Sequence, residues 1–125
     1  MNQNPRYFEI LNEIQKALER NSVVIVEGAK DKQALEELGF QNITVLHGRA
    51  FYKKIEEITA MAKKFGKEVI ILTDLDRKGR QFYIAIKKEL AREGIKVNDK
   101  LRSLLLEEKI SHIEGLTTFI ENLQS

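Results

Sequence analysis

Two short runs hold residues whose types and spacing suit phosphate chemistry: Glu27-Gly28-Ala29-Lys30-Asp31 and Asp74-Leu75-Asp76-Arg77-Lys78-Gly79-Arg80. In extended backbone, residues two apart project to the same side. Asp74 and Asp76 can therefore aim both carboxylates at one point, while Leu75 turns the other way into apolar packing. Each run follows an apolar segment, where an acid with no task would be a costly ending. Gly28 permits a tight turn and a close approach of backbone to ligand. If the segments before Glu27 and Asp74 are neighbouring strands, three hard oxygen donors converge. Their repulsion raises their pKa values unless a cation sits among them. Mg²⁺ is the ion expected, with Mn²⁺ as its substitute, because Mg²⁺ takes one or two carboxylates, keeps waters and completes its shell with phosphate oxygens. Such an ion can activate water and neutralise charge developing on a phosphodiester.

The basic residues fit the same chemistry. Between Arg77 and Arg92 there are six Lys or Arg (77, 78, 80, 87, 88 and 92) against one acid, Glu89. Arg49, Lys53 and Lys54 follow the second apolar strand and belong on the same rim. Lys30, Arg49, Arg77, Lys78 and Arg80 are the expected phosphate or nucleic-acid contacts, since cations on such a rim draw phosphates toward the acidic centre. Each feature also has a plainer role open to it. Glu27 could salt-bridge a lysine, the Asp pair could be a turn and helix N-cap, and the cations could be a solvated helix face. His47 could bind phosphate, serve as an acid or simply occupy a turn. His112 and Glu114 have no motif around them and are given no role.

The elements that position these residues follow from changes of period. Tyr7, Leu11, Ile14 and Leu18 repeat at helical spacing behind Pro5. Residues 22–26, 43–46 and 69–73 are short apolar runs without alternation, as in strands covered on both faces. Residues 31–38 read as a short helix ended by Gly39, and Phe51, Ile55, Ile58, Ala62 and Phe65 as a longer one ended by Gly66. Phe82, Ile86 and Leu90 mark the helix after the third strand. Residues 95–97 form a candidate fourth strand, and Asn98 can cap a helix carrying Leu101, Leu104 and Leu105. Phe119, Ile120 and Leu123 mark a last helix, and the segment from Leu101 to Leu123 could close the core or meet a second copy. Alternating strands and helices imply an α/β fold, an open parallel sheet of about four strands with helices on both faces. Ligands of such sheets sit beyond the carboxyl ends of the strands, where strand order switches.

Composition narrows the functional classes. The chain has 125 residues, enough for one domain spanning 1–125, and 21 Lys+Arg against 19 Asp+Glu leave a net charge of only +2. No cysteine means no disulfide framework, thiolate metal site or cysteine nucleophile, and two histidines make a poor basis for a zinc site. The opening residues show no signal pattern, and no apolar run is long enough for a bilayer, so a cytoplasmic location without a membrane partner is expected. There is no phosphate-binding Gly-x-x-x-x-Gly-Lys loop and no dinucleotide Gly-x-Gly-x-x-Gly. The Asp-x-Asp run is no EF-hand either, since its fifth position would be Lys78 and its twelfth Ala85.

VVIVEGAKD at 23–31 and VIILTDLDRKG at 69–79, with LHG at 46–48 between them, resemble the motifs of the Toprim (topoisomerase–primase) domain family. The resemblance spans roughly residues 22–97, and the whole chain is similar to small stand-alone Toprim proteins and to the Toprim part of 5S ribosomal RNA maturation ribonucleases. It implies a Rossmann-like parallel sheet with the strand before Glu27 beside the strand before Asp74. It also implies catalytic and Mg²⁺-holding roles for Glu27, Asp74 and Asp76, with Gly28, Asp31 and Gly79 in support. Type IA topoisomerases carry a further acid near the Asp pair where this chain has Lys78 and Arg80, and they need a separate tyrosine-bearing domain. Primases need zinc-binding segments. The expectation is therefore a Mg²⁺-dependent nuclease or phosphotransfer enzyme on RNA more than DNA. The alternative is a non-catalytic metal- and nucleic-acid-binding accessory protein. Monomer and homodimer are both open.

Overall fold

A computed structural model describes residues 5–46 and 51–124. In chain order these form α1 (Pro5–Arg20), β1 (Val23–Val26), α2 (Ala29–Glu37), β2 (Ile43–Val45), α3 (Phe51–Phe65), β3 (Val69–Ile71), α4 (Arg77–Arg92), α5 (Lys100–Glu107) and α6 (Gly115–Gln124). The three strands make a parallel sheet in the order β2-β1-β3, with Val24 opposite Ile43 on one side and Ile70 on the other. Residues 95–97 fall short of a full strand. Val97 makes a single parallel bridge to Val69, and Asn98 then donates its N–H to Val69 O and lends Oδ1 to the Lys100 N–H, so the chain turns at once into α5.

Side-chain alternation along the strands divides the core into two layers. Val24, Val26, Ile70 and Leu72 pack with Ile10, Ile14, Leu35, Leu101, Leu105, Ile113 and Leu116, which places α1, α2, α5 and α6 on one face. Val23, Ile25, Val69 and Ile71 pack with Ile55, Ile58, Ile86 and Leu90 of α3 and α4 on the other. All four β1 side chains are fully buried, which is why its sequence is apolar without alternation. The C-terminal segment completes the first layer: Ile113, Leu116 and Ile120 are buried, and the Phe119 ring meets Tyr7 of α1 edge-on at 4.7 Å.

This layering creates the crevice. The central strand β1 sends its following helix, α2, to one face, and its neighbour β3 sends α4 to the other. The two connections part beyond the carboxyl ends of the strands, where Glu27 and Asp74 stand.

Candidate metal centre

Glu27 follows β1 and Asp74 follows β3, and a hydrogen bond joins them: the Asp74 N–H donates to Glu27 Oε1 at 3.2 Å. Asp76 is the N-cap of α4, its Oδ1 accepting from the Gly79 N–H at 2.8 Å. Asp74 Oδ1 accepts from the Ile113 N–H at 3.1 Å. Each carboxylate is thus aimed by one oxygen on a backbone N–H. Among the described residues, the second oxygens of Glu27 and Asp74 take no hydrogen bond, and that of Asp76 meets only His112. The N-cap reading of the Asp pair and the ligand reading are therefore compatible, because capping occupies one oxygen of Asp76 and leaves the other.

Not all three predicted carboxylates share one point. The tight group is Asp74, Asp76 and His112, with one ligand atom from each lying within 4.8 Å of the others. Glu27 stands across the end of the sheet, on the α3/α4 side, where it lines a cleft of about 150 Å³ with Leu46, Lys78 and Phe82. The cause is strand parity. Glu27 follows Val26 and so shares the face of Val23 and Ile25, whereas Asp74 is held against the α5–α6 connection. Its charge still reaches the pair. Burial first, then the Asp74 and Asp76 carboxylates, raise the Glu27 carboxyl above its ordinary 4.5, while the Asp74 N–H and Lys78 pull the other way.

Asp31 is 8% exposed, and its Oδ2 accepts from the Gly28 N–H at 3.1 Å, closing the first turn of α2. Burial, followed by the Asp74 charge, raises its carboxyl above 3.8. The folded chain then holds this proton to higher pH than the unfolded chain, so Asp31 subtracts stability as pH rises from 3.8 through its raised value. An amide keeps the acceptor for Gly28 without the charge. Asp31→Asn should therefore melt above the parent protein at pH 7 and level with it below pH 3.8, where both side chains are neutral. Equal melting curves at both pH values would show that the buried charge costs nothing.

Gly79 is buried against the Asp74 backbone, and its carbonyl accepts from Thr73 Oγ1 at 2.6 Å. One buried cation was not anticipated. Arg102, 4% exposed on α5, donates Nη1 to Ile71 O (3.2 Å), Thr73 O (2.8 Å) and Thr73 Oγ1 (3.2 Å), and Nη2 to Asp74 O (3.1 Å). It pins the backbone on which Asp74 stands.

The expected phosphate contacts diverge. Lys78 is exposed beside Glu27 and lies 5.8 Å from the centre of the Phe82 ring, and Arg77 is exposed at the start of α4. Arg80 lines a groove of about 200 Å³ with Leu75, Tyr83 and Arg102, and Lys30 lies beside Glu114 and Thr117. Lys87 is bonded to Asp99 and Tyr83, and Arg92 pairs with Glu89 at 3.2 Å. His47, Gly48 and Arg49 lie outside the described residues.

The profile of the Toprim domain matches residues 22–114, about three quarters of the sequence. The chain belongs to the Toprim domain family. The match runs beyond the 22–97 span carried by the two motifs and takes in Arg102 and His112. The chain is 36% identical to a UPF0292 protein of Methanocaldococcus jannaschii over 121 residues, covering 91% of this chain and 92% of that one. It is 31% identical to a UPF0292 protein of Methanosarcina barkeri over 124 residues, covering 95% and 83%. A solved structure, a putative protein from Aquifex aeolicus, superposes with a TM-score of 0.73 at 31% identity, covering 90% of this chain and 98% of that chain. Toprim membership brings a divalent-metal-binding, nucleic-acid-related role, and the acidic cluster fits it. No helix among the described residues is long and apolar enough to cross a membrane.

Proposed function

We propose that this Toprim protein is a divalent-metal-dependent phosphodiester hydrolase or phosphotransferase acting on nucleic acid, RNA in preference to DNA, with Mg²⁺ as its ordinary ion. The observation that carries this reading is the set of three carboxylates at the crevice, each aimed by one oxygen on a backbone N–H. Asp74 and Asp76 would hold the ion, with Glu27 facing it from across the crevice. A bound dication would supply charge neutralisation for the phosphodiester and a more acidic water. The protein's own groups do the rest. Glu27, whose carboxyl is raised by burial and by the Asp charges, is suited to take a proton and return it to a leaving oxygen. Lys78 shares the Glu27 cleft and offers an exposed cation to phosphate. Arg77 and the amino end of α4 add positive potential on the same side. An accessible site of this kind suits hydrolysis or transfer at a phosphodiester bond.

The test is cleavage of end-labelled RNA and DNA oligonucleotides by the purified chain with Mg²⁺, beside Asp76→Asn. Asparagine keeps an oxygen for the Gly79 N–H, so the α4 cap and the fold should survive. Turnover should fall about 100-fold or more, since several kcal/mol of charge stabilisation are removed at a factor of ten per roughly 1.4 kcal/mol. Oligonucleotide binding without turnover in the parent protein would favour the accessory role instead. Undiminished turnover in Asp76→Asn would remove the site from the mechanism.

A further inference from the structure

The site just described uses oxygen donors, yet the group packed most closely around it includes an imidazole. We propose that His112 is a ligand of this metal site through Nε2 and shifts its preference from Mg²⁺ toward first-row transition dications. The inference rests on the metal-site reading above and adds a ligand to it.

His112 Nε2 lies 3.9 Å from Asp76 Oδ2, and both side chains are open to solvent, at 56% and 45% exposure. As an ion pair this contact would contribute little, because exposed pairs at such distances are worth about 0–1 kcal/mol. The backbone around His112 is nevertheless fixed against the Asp loop on both sides. The Leu75 N–H donates to Ser111 O at 2.8 Å, and the Ile113 N–H donates to Asp74 Oδ1 at 3.1 Å. The Ile113 side chain is fully buried and anchors the segment in the core.

The ring is oriented as well as placed. Its Nδ1 lies 3.0 Å from Ser111 Oγ. With the proton on Nδ1 donated to that hydroxyl, Nε2 presents its lone pair to the space shared with Asp74 and Asp76. A hydrogen bond on the far ring nitrogen is the usual way proteins set a metal-binding imidazole. The donor set becomes two carboxylates and one imidazole. Mg²⁺ favours oxygen and water, whereas imidazole suits Zn²⁺, Co²⁺, Ni²⁺ and their neighbours.

The experiment titrates the full chain with Co²⁺ and with Mg²⁺ by calorimetry, and records the nitrogen hyperfine coupling of bound Mn²⁺. His112→Ala, Ser111→Ala and Asp76→Asn are treated alike. His112→Ala should weaken Co²⁺ by about 10–100-fold and abolish the nitrogen coupling, while Mg²⁺ affinity changes by less than about threefold. Ser111→Ala should fall between, because the ring remains but loses its orienting partner. Equal Co²⁺ affinity in the parent and His112→Ala, or Mn²⁺ bound without nitrogen coupling, would overturn the assignment. His112-dependent Co²⁺ binding without any phosphodiester cleavage would uphold it and remove the catalytic reading. Cleavage lost in Asp76→Asn but indifferent to His112, with Co²⁺ binding equally indifferent, would do the reverse.

Discussion

Gly79→Ala is expected to disrupt the site and to remove a large part of the protein's stability with it. A Cβ built on Gly79 would lie 1.8 Å from Asp74 O, 2.4 Å from its carbonyl carbon and 2.8 Å from its Cα. These are backbone atoms, so no side-chain rotation relieves the clash. The first turn of α4 must move away from the end of β3, breaking the bonds from Thr73 Oγ1 to Gly79 O and from the Gly79 N–H to Asp76 Oδ1. Overpacking of this kind costs roughly 1–3 kcal/mol where neighbours can yield, and here they cannot, so about 3 kcal/mol or more is expected. That corresponds to a fall in melting temperature of about 10 °C or more for a chain of this size. Divalent-ion affinity should drop even well below the new midpoint, because Asp74 and Asp76 no longer face one another. Gly28→Ala is the control. Its Cβ would meet only Asp31 Oδ2 at 3.8 Å, and its φ of −138° suits any residue. Thermal melts and ion titrations of both variants decide the matter. A Gly79→Ala protein melting within about 2 °C of the parent would mean that α4 does not rest on Asp74 as described.

The contrast between these glycines marks how far the sequence could be read. Both follow acids in motif-like runs, and both were expected to support the site. Only the packing of α4 onto Asp74 distinguishes the one that tolerates no side chain. The two strands that lead into the acids were legible because burial on both faces leaves an unbroken apolar run, whereas their adjacency was implied only by the Toprim resemblance, which the order β2-β1-β3 bears out. The convergence of Glu27 with the Asp pair was legible only in part. Its charge is coupled to theirs, but strand parity sets it on the opposite face of the sheet, where its cleft partners are Leu46, Lys78 and Phe82. His112 could not be found from local pattern. It reaches Asp76 only because α5 and α6 fold back over the sheet and bury Ile113 beside it. Arg102 did leave a trace. It sits between Leu101 and Leu104 on the apolar stripe of α5, a position that obliges a cation to find acceptors in the core.

Those acceptors make Arg102 the second position where a single change should be severe. Its guanidinium is buried, and no carboxylate among the described residues forms an ion pair with it. It is satisfied by three backbone carbonyls and a hydroxyl, and it lies 4.5 Å from the centre of the Tyr83 ring. Burial pulls its pKa below the ordinary arginine value, yet an arginine remains charged there. The bonds form a relay: Arg102 donates to Thr73 Oγ1, and Thr73 Oγ1 donates to Gly79 O. One side chain on α5 thus holds the end of β3 and, through Thr73, the start of α4, which together set the separation of Asp74 and Asp76. Arg102→Leu preserves the apolar stem but strips donors from the buried Ile71 and Thr73 carbonyls and the part-buried Asp74 carbonyl. At about 1–3 kcal/mol for each buried group left unpaired, a loss of roughly 3 kcal/mol or more is expected. Arg102→Lys should recover only part of this, because one ammonium cannot bridge the spread of acceptors that a planar fork meets. Urea denaturation measures the stability change, and ion titration at low temperature measures the site. If Arg102 only fills space, Arg102→Leu should stay within about 0.5 kcal/mol of the parent and bind ions as tightly. If it holds the Asp loop, ion affinity should fall in Arg102→Leu while the protein is still folded, and recover in proportion to the donors that lysine restores.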